Sequence, residues 1–124
     1  MITELTLHDM LEPQSSPDND VRILMCFGST CGPCKATLPF YEQVADYYVS
    51  KTNRIKFYKI NAWEPAEQKD YCYNTLKISG VPHFKAFCNG QEILERVGGG
   101  DDAVLKQFVH DVIDEAFKRF GEKI

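Results

Sequence analysis

Long apolar runs are missing from this sequence of 124 residues, and nothing in it approaches the ~18 uninterrupted apolar residues that a membrane-spanning helix requires. The opening stretch also lacks a basic start followed by an apolar core, so no export signal is read there. Basic charge is in deficit: 14 Lys and Arg stand against 18 Asp and Glu, for a net charge of −4. The basic residues, among them Lys56 and Lys118-Arg119, are scattered among acids, which excludes the clustered footprint of a nucleic-acid binder. Repeats and low-complexity tracts are absent too, which argues against a solenoid and against disorder. The five cysteines are an odd number and cannot all pair within the chain. That fits a reducing compartment, and a cytoplasmic location is the expectation.

What is present suits one folded unit. Apolar residues make up 44% and charged residues 26%, ordinary for a globular chain long enough to bury a core, so a single domain over residues 1–124 is expected. Val21 to Phe27 is a mostly apolar run too short for a typical helix and reads as a strand buried on both faces. From Cys34 to Val49 the apolar residues Leu38, Tyr41, Val44, Ala45 and Tyr48 recur at helical spacing. Ile55 to Ile60 reads as a second strand, with a helix between Glu64 and Leu76. Asn89-Gly90 separates two short runs, His83 to Cys88 and Glu92 to Val97, and marks an antiparallel hairpin. After Gly98-Gly99-Gly100, Asp101 caps a last helix whose apolar face includes Val104, Leu105, Phe108, Val109, Val112, Ile113 and Phe117. Ile2 to Leu7 reads as an edge strand, and Pro13 with Ser15-Ser16-Pro17 as a short helix ending in a loop. The class is α/β: a central mixed sheet of four to five strands flanked by helices on both faces.

The chemistry sits in Thr30-Cys31-Gly32-Pro33-Cys34-Lys35. Two cysteines separated by Gly-Pro can close a disulfide across the first helical turn, where Pro33 needs no backbone donor. The positive end of the helix stabilises a thiolate at Cys31, which is therefore the expected nucleophile. A more populated thiolate is also a weaker nucleophile, so most of the rate must come from the leaving group and from docking the target. The alternatives are half of a zinc site and an inert buried pair. Cys26, Cys72, Cys88 and His83 supply no second close pair, and redox chemistry is the favoured reading.

The stretch Cys31-Gly32-Pro33-Cys34-Lys35 resembles the active site of the thioredoxin family, and the resemblance runs over nearly the whole chain. Pro39 matches the family's helix-kinking proline, Lys59-Ile60-Asn61 the end of its central strand, Val81-Pro82 its cis-proline step, and Val97-Gly98 the glycine bordering its docking surface. The resemblance implies a thioredoxin fold and a protein-disulfide reductase, in which Cys31 attacks a disulfide of a partner protein and Cys34 resolves the mixed disulfide. It further implies a docking surface of Thr30, Gly32, Pro33, Val81, Pro82 and Gly98. No bound cofactor is expected beyond the redox-active Cys31–Cys34 disulfide. A separate flavin-containing, NADPH-dependent reductase of the thioredoxin-reductase kind would regenerate the dithiol. Disulfide-containing proteins are the expected partners, with no nucleic acid and no membrane, and the chain is expected to be a monomer.

Three positions depart from the family pattern. Thr30 stands where a tryptophan is usual, Met25 where a buried acid accepts the proton of Cys34, and Trp63 where an acidic residue is common. Lys59 is left without its usual acidic partner, Cys34 is expected to deprotonate through water or another group, and the Trp63 ring is read as a partial substitute for the missing aromatic shield, the alternative being ordinary core packing. Lys59, Trp63 and His83 are thus possible modulators of the site. Cys26, Cys72 and Cys88 read as structural thiols, with Cys72 a secondary redox or dimerising candidate. Two competing functions remain: a thioredoxin-like binding module or dedicated partner of one target, and a glutathione-dependent relative, which the Gly-Pro spacer disfavours.

Overall fold

The computed structural model describes residues 1–9 and 18–124, so the reading of Pro13 and Ser15-Ser16-Pro17 lies outside the described residues. One five-stranded sheet organises them. Its strands are β1 (Thr3–Leu5), β2 (Val21–Phe27), β3 (Ile55–Asn61), β4 (His83–Cys88) and β5 (Gln91–Val97), in the order β1-β3-β2-β4-β5. β1 and β2 run parallel to β3, whereas β4 runs antiparallel to both β2 and β5. The apolar run of β2 is thereby explained: it is the central strand, covered on both faces, and Val21, Ile23, Leu24 and Cys26 are fully buried.

Alternation along β2 divides the interior in two. Val21, Ile23 and Met25 face α1 (Gly32–Val49) and α3 (Asp102–Phe120), where Tyr41, Val44, Phe57, Phe84, Leu105 and Val112 complete one core. Leu24 and Cys26 face the other way, onto Tyr58, Ile60, Cys72, Leu76 and Ile78. Each large apolar side chain buried this way contributes about 1.5–3 kcal/mol. The buried phenol of Tyr41 fastens α1 to the sheet by donating to the carbonyls of Tyr58 (2.9 Å) and Ile23 (3.2 Å).

The helix ends follow local chemistry. The Asp101 carboxylate accepts from the Val104 N–H at 3.0 Å, a cap worth about 1 kcal/mol, and Gly121 closes α3 at φ 69°. The Asn89-Gly90 turn has positive φ at both residues, 53° and 72°, as a tight hairpin between right-twisted strands demands. Between β3 and β4 the expected helix is shorter and less regular: α2 spans Ala66–Asp70 and passes into a π-helical turn over Tyr71–Thr75. The expected edge strand is also shortened, because after Leu5 the chain turns into a 3₁₀ segment at Leu7–Asp9. Among the described residues no helix is long and apolar enough to cross a membrane.

Candidate active site

The central strand delivers the chain to a confined loop. A Cβ at Gly28 would overlap the indole of Trp63, so only glycine lets that ring lie against the backbone three residues before Cys31. Trp63 is aimed by Asn61, whose Oδ1 accepts from the N–H of Trp63 (2.9 Å) and of Glu64 (3.3 Å). The Ala62 N–H donates to the Phe27 carbonyl at 2.7 Å and ties the end of β3 to the end of β2.

Cys31 occupies the N-cap of α1, with Pro33 in the first turn. Its N–H donates to the Gly28 carbonyl (3.2 Å), and its Sγ accepts from the Cys34 N–H (3.2 Å). The sulfur thus sits where the helix presents unpaired donors and partial positive charge. Cys31 and Cys34 are joined in a disulfide with their Cα atoms 5.2 Å apart. Both are buried, at 5% and 3% exposure, while Thr30, Gly32 and Pro33 are exposed around them.

A second segment closes over the sulfur pair. The Val81–Pro82 peptide is cis, and the Val81 carbonyl oxygen lies 3.9 Å from Cys31 Sγ. The Gly98 N–H donates to the Pro82 carbonyl at 2.9 Å, with Gly98 at φ 91°, a backbone conformation that glycine adopts without strain. Next to it, Gly99 packs so closely on the Thr37 hydroxyl of α1 and on Pro82 that a side chain would collide. The structure therefore brings Thr30, Cys31, Gly32, Pro33, Cys34, Val81, Pro82 and Gly98 into one region. Thr37 and Gly99 join it without having been singled out in the sequence, where a buried threonine and the middle of three glycines carry no signal.

Beneath Cys34 a cleft of about 150 Å³ opens, lined by Met25, Phe27, Leu38, Lys35 and Lys59. Met25 is 1% exposed, so no carboxylate faces Cys34 from that position. Lys59 is not left unpaired: its Nζ lies 3.9 Å from the Glu4 carboxylate of β1 and 5.6 Å from the centre of the Phe27 ring.

His83 follows Pro82, but its ring is directed to the opposite face of the sheet and does not join the disulfide. Its Nε2 lies 2.7 Å from Glu95 Oε1, and its Nδ1 accepts from the Ser79 N–H at 3.4 Å. Hydrogen bonding by His83, with help from Lys85, holds the Glu95 carboxyl below the usual carboxylate range. Lys85 is itself buried, its ammonium 2.9 Å from both Glu92 oxygens and 3.2 Å from Glu95. That network escaped the sequence because an alternating strand with an inward lysine looks the same as one with an outward lysine. Among the described residues the grouping of potential metal ligands is His110, Asp111 and Asp114, exposed on α3 and separate from every cysteine.

Comparison with known proteins agrees with this geometry. The thioredoxin family profile matches residues 9–111. The chain is 31% identical to thioredoxin 1 of Plasmodium falciparum over 91 residues, covering 73% of this chain and 79% of that protein. It is 25% identical to thioredoxin-2 of Saccharomyces cerevisiae over 109 residues, covering 88% and 96%. In fold it is similar to thioredoxin f of spinach chloroplast, with a TM-score of 0.73 at 22% identity and 92% of each chain covered. With the family profile covering most of the chain and relatives alike over most of their length, the chain belongs to the thioredoxin family of thiol–disulfide oxidoreductases.

Proposed function

We propose that the protein reduces disulfides in partner proteins, with Cys31 attacking and Cys34 resolving. The observation that carries this reading is the position of Cys31 Sγ at the N-terminus of α1, 3.9 Å from the Val81 carbonyl. A thiolate there is stabilised by the helix, and an extended target segment pairing with the Val81 backbone would bring its disulfide onto the sulfur. Thr30, Gly32, Pro33, Pro82 and Gly98 form the floor for that segment.

In the reduced protein the Cys31 thiolate attacks one sulfur of the target disulfide. A bond forms between the two sulfurs, the target S–S bond breaks, and the released target thiolate takes a proton. Cys34, once deprotonated, attacks Cys31 Sγ, frees the second target thiol and restores the Cys31–Cys34 disulfide. Two electrons and two protons pass to the target. With Met25 in the cleft, the proton of Cys34 leaves through water, for which the cleft has room. Lys35 and Lys59 at its edge favour the thiolate, and Trp63 against Gly28 steadies the loop that carries Cys31. His83 acts through the strand that begins directly after the cis-proline step. A separate NADPH-dependent flavoprotein regenerates the dithiol, and the protein works as a cytoplasmic monomer.

The second reading, a partner-binding protein with little general reductase activity, is favoured by Met25, which leaves Cys34 without a protein base. Reduction of insulin disulfides by dithiothreitol, with and without catalytic amounts of the protein, separates the two. Acceleration lost in both Cys31→Ser and Cys34→Ser supports the reductase; no acceleration from a chain whose cysteines are shown to cycle supports the dedicated partner.

A further inference from the structure

His83 is 2% exposed, and both of its ring nitrogens are committed. Nδ1 accepts from the Ser79 N–H at 3.4 Å, so the neutral ring carries its proton on Nε2 and donates it to Glu95 Oε1 at 2.7 Å. Glu95 is fixed in turn by the Lys85 ammonium at 3.2 Å. An acceptor on one side and a donor on the other make the ring a directional link, which an apolar side chain of similar size could not supply.

The two ends of that link are placed alike. Ser79 lies two residues before Val81, and Glu95 lies two residues before Val97. Val81-Pro82 and Val97-Gly98 are the two segments whose backbones border the sulfur pair, and one bond joins them directly, from the Gly98 N–H to the Pro82 carbonyl at 2.9 Å. His83 follows Pro82 and stands opposite Val97 in the β4–β5 ladder. Its neighbour Phe84 faces the α1 core, so the imidazole adds its tie on the other face of the sheet, away from the sulfurs. Upstream, the Ile78 N–H donates to the Cys72 carbonyl at 3.2 Å. Between that bond and the one at Pro82, the chain leading to Val81 is held by the His83 ring.

We propose that His83 is a positioning residue for target docking: linked to Ser79 on one side and Glu95 on the other, it fixes the Val81 backbone edge against Gly98 before a target arrives. The proposal rests on the reading of the chain as a protein-disulfide reductase. An extended target segment that pairs with Val81 then meets an edge already in place, and binding does not have to order it. The bonds of the imidazole are the same before and during sulfur exchange. Their loss therefore weakens docking and leaves the chemical step unchanged.

The test compares His83→Leu, which removes both bonds, with His83→Asn, whose side-chain oxygen stands in for Nδ1 as acceptor. Each reduced full-length chain is mixed in single turnover with a disulfide-bonded target peptide over a range of concentrations. Each is also mixed with cystine, a disulfide with no extended backbone to pair with Val81. His83→Leu is expected to raise the half-saturating peptide concentration about tenfold, the size of one lost hydrogen bond, with the limiting rate and the cystine rate unchanged. His83→Asn should stay within about twofold of the natural chain. Nitrogen NMR of the natural chain should show the Nε2–H tautomer at His83, and the Ser79 amide should exchange faster in His83→Leu than in the other two. An unchanged half-saturating concentration in His83→Leu, an equal rise in both variants, a matching fall in the cystine rate, or a proton found on Nδ1 would each overturn the proposal. A natural chain that reduces cystine but not the peptide would instead sink the reductase reading, a failure seen without any variant. Should His83→Leu fail to fold, His83→Gln, which keeps a donor for Glu95 and lacks the acceptor for Ser79, takes its place with the same tenfold rise expected, about one hydrogen bond.

Discussion

Replacing Met25 by aspartate isolates the effect of the missing acid. Met25 and Cys34 line the same cleft, so a carboxylate introduced there is within reach of the Cys34 thiol directly or through one water. A positioned general base contributes about 10²-fold at the low end of its range. Part of that is already supplied by water, and we expect resolution of the mixed disulfide to accelerate about tenfold. The carboxylate becomes neutral as it takes the proton, so it does not repel the thiolate it creates. The substitution is costly elsewhere: burying a carboxyl at a site only 1% exposed and losing the thioether packing should destabilise the fold by about 3 kcal/mol, against under about 1.5 kcal/mol for Met25→Leu. The assay is single-turnover release of a dye-labelled peptide from its mixed disulfide with Cys31, followed from about pH 6 to 9. In the natural protein the rate should climb with pH as Cys34 deprotonates in solvent, and in Met25→Asp it should climb less from a higher starting point. Equal rates and equal pH profiles for the Asp and Leu variants would refute the reasoning.

Further outcomes follow from the same geometry. Cys31→Ser should abolish turnover of protein disulfides, whereas Cys34→Ser should trap a mixed disulfide visible by non-reducing electrophoresis. Since Trp63 is the single tryptophan and packs on Gly28, its emission should change when Cys31–Cys34 is reduced; identical spectra would leave the ring a simple core residue. Gly28→Ala forces its Cβ into that ring and should cost about 1–3 kcal/mol in denaturant unfolding, with Trp63→Ala largely removing the penalty in the double variant. Hydrogen bonding to Arg22 lowers the Asp18 carboxyl from 3.8 to about 2, so its contribution is complete above the unfolded value and is lost as pH falls toward about 2. Because Asp18 is largely exposed, that contribution is at most about 1 kcal/mol, and Asp18→Asn should flatten this part of the acid unfolding curve.

The elements that were legible in the sequence are those whose pattern has one physical solution. An apolar run of strand length at Val21–Phe27 can satisfy its backbone only in the middle of a sheet, and Asn89-Gly90 fits only a turn with two positive φ values. The Glu64 to Leu76 segment misled because composition does not distinguish an α-helix from a π turn. The difference arises from tertiary packing, which buries Cys72 and Leu76 against the far face of the sheet and draws in the Gln68 side chain to the Asn61 carbonyl at 2.9 Å.

The site divides along the same line. Cys31, Cys34 and Val81-Pro82 were readable because their chemistry is local: a spacing across one helical turn and a peptide bond before proline. The partners of Lys59, His83 and Cys26 were not, since each is set by strand register. Lys59 pairs across β1 with Glu4, His83 and Lys85 reach Glu95 on β5, and Cys26 shares a core with residues far along the chain. Register also explains how one strand serves two cores: alternation along β2 sets Met25 beside Cys34 on the α1 face and Cys26 in the core that holds Cys72, Leu76 and Ile78 on the other. A slip of one residue would exchange them, placing a thiol in the cleft under Cys34 and leaving Cys72 facing a thioether. The absence of a thiol from the cleft under Cys34 therefore depends on the same β2 register that carries the chain to Gly28 and Cys31.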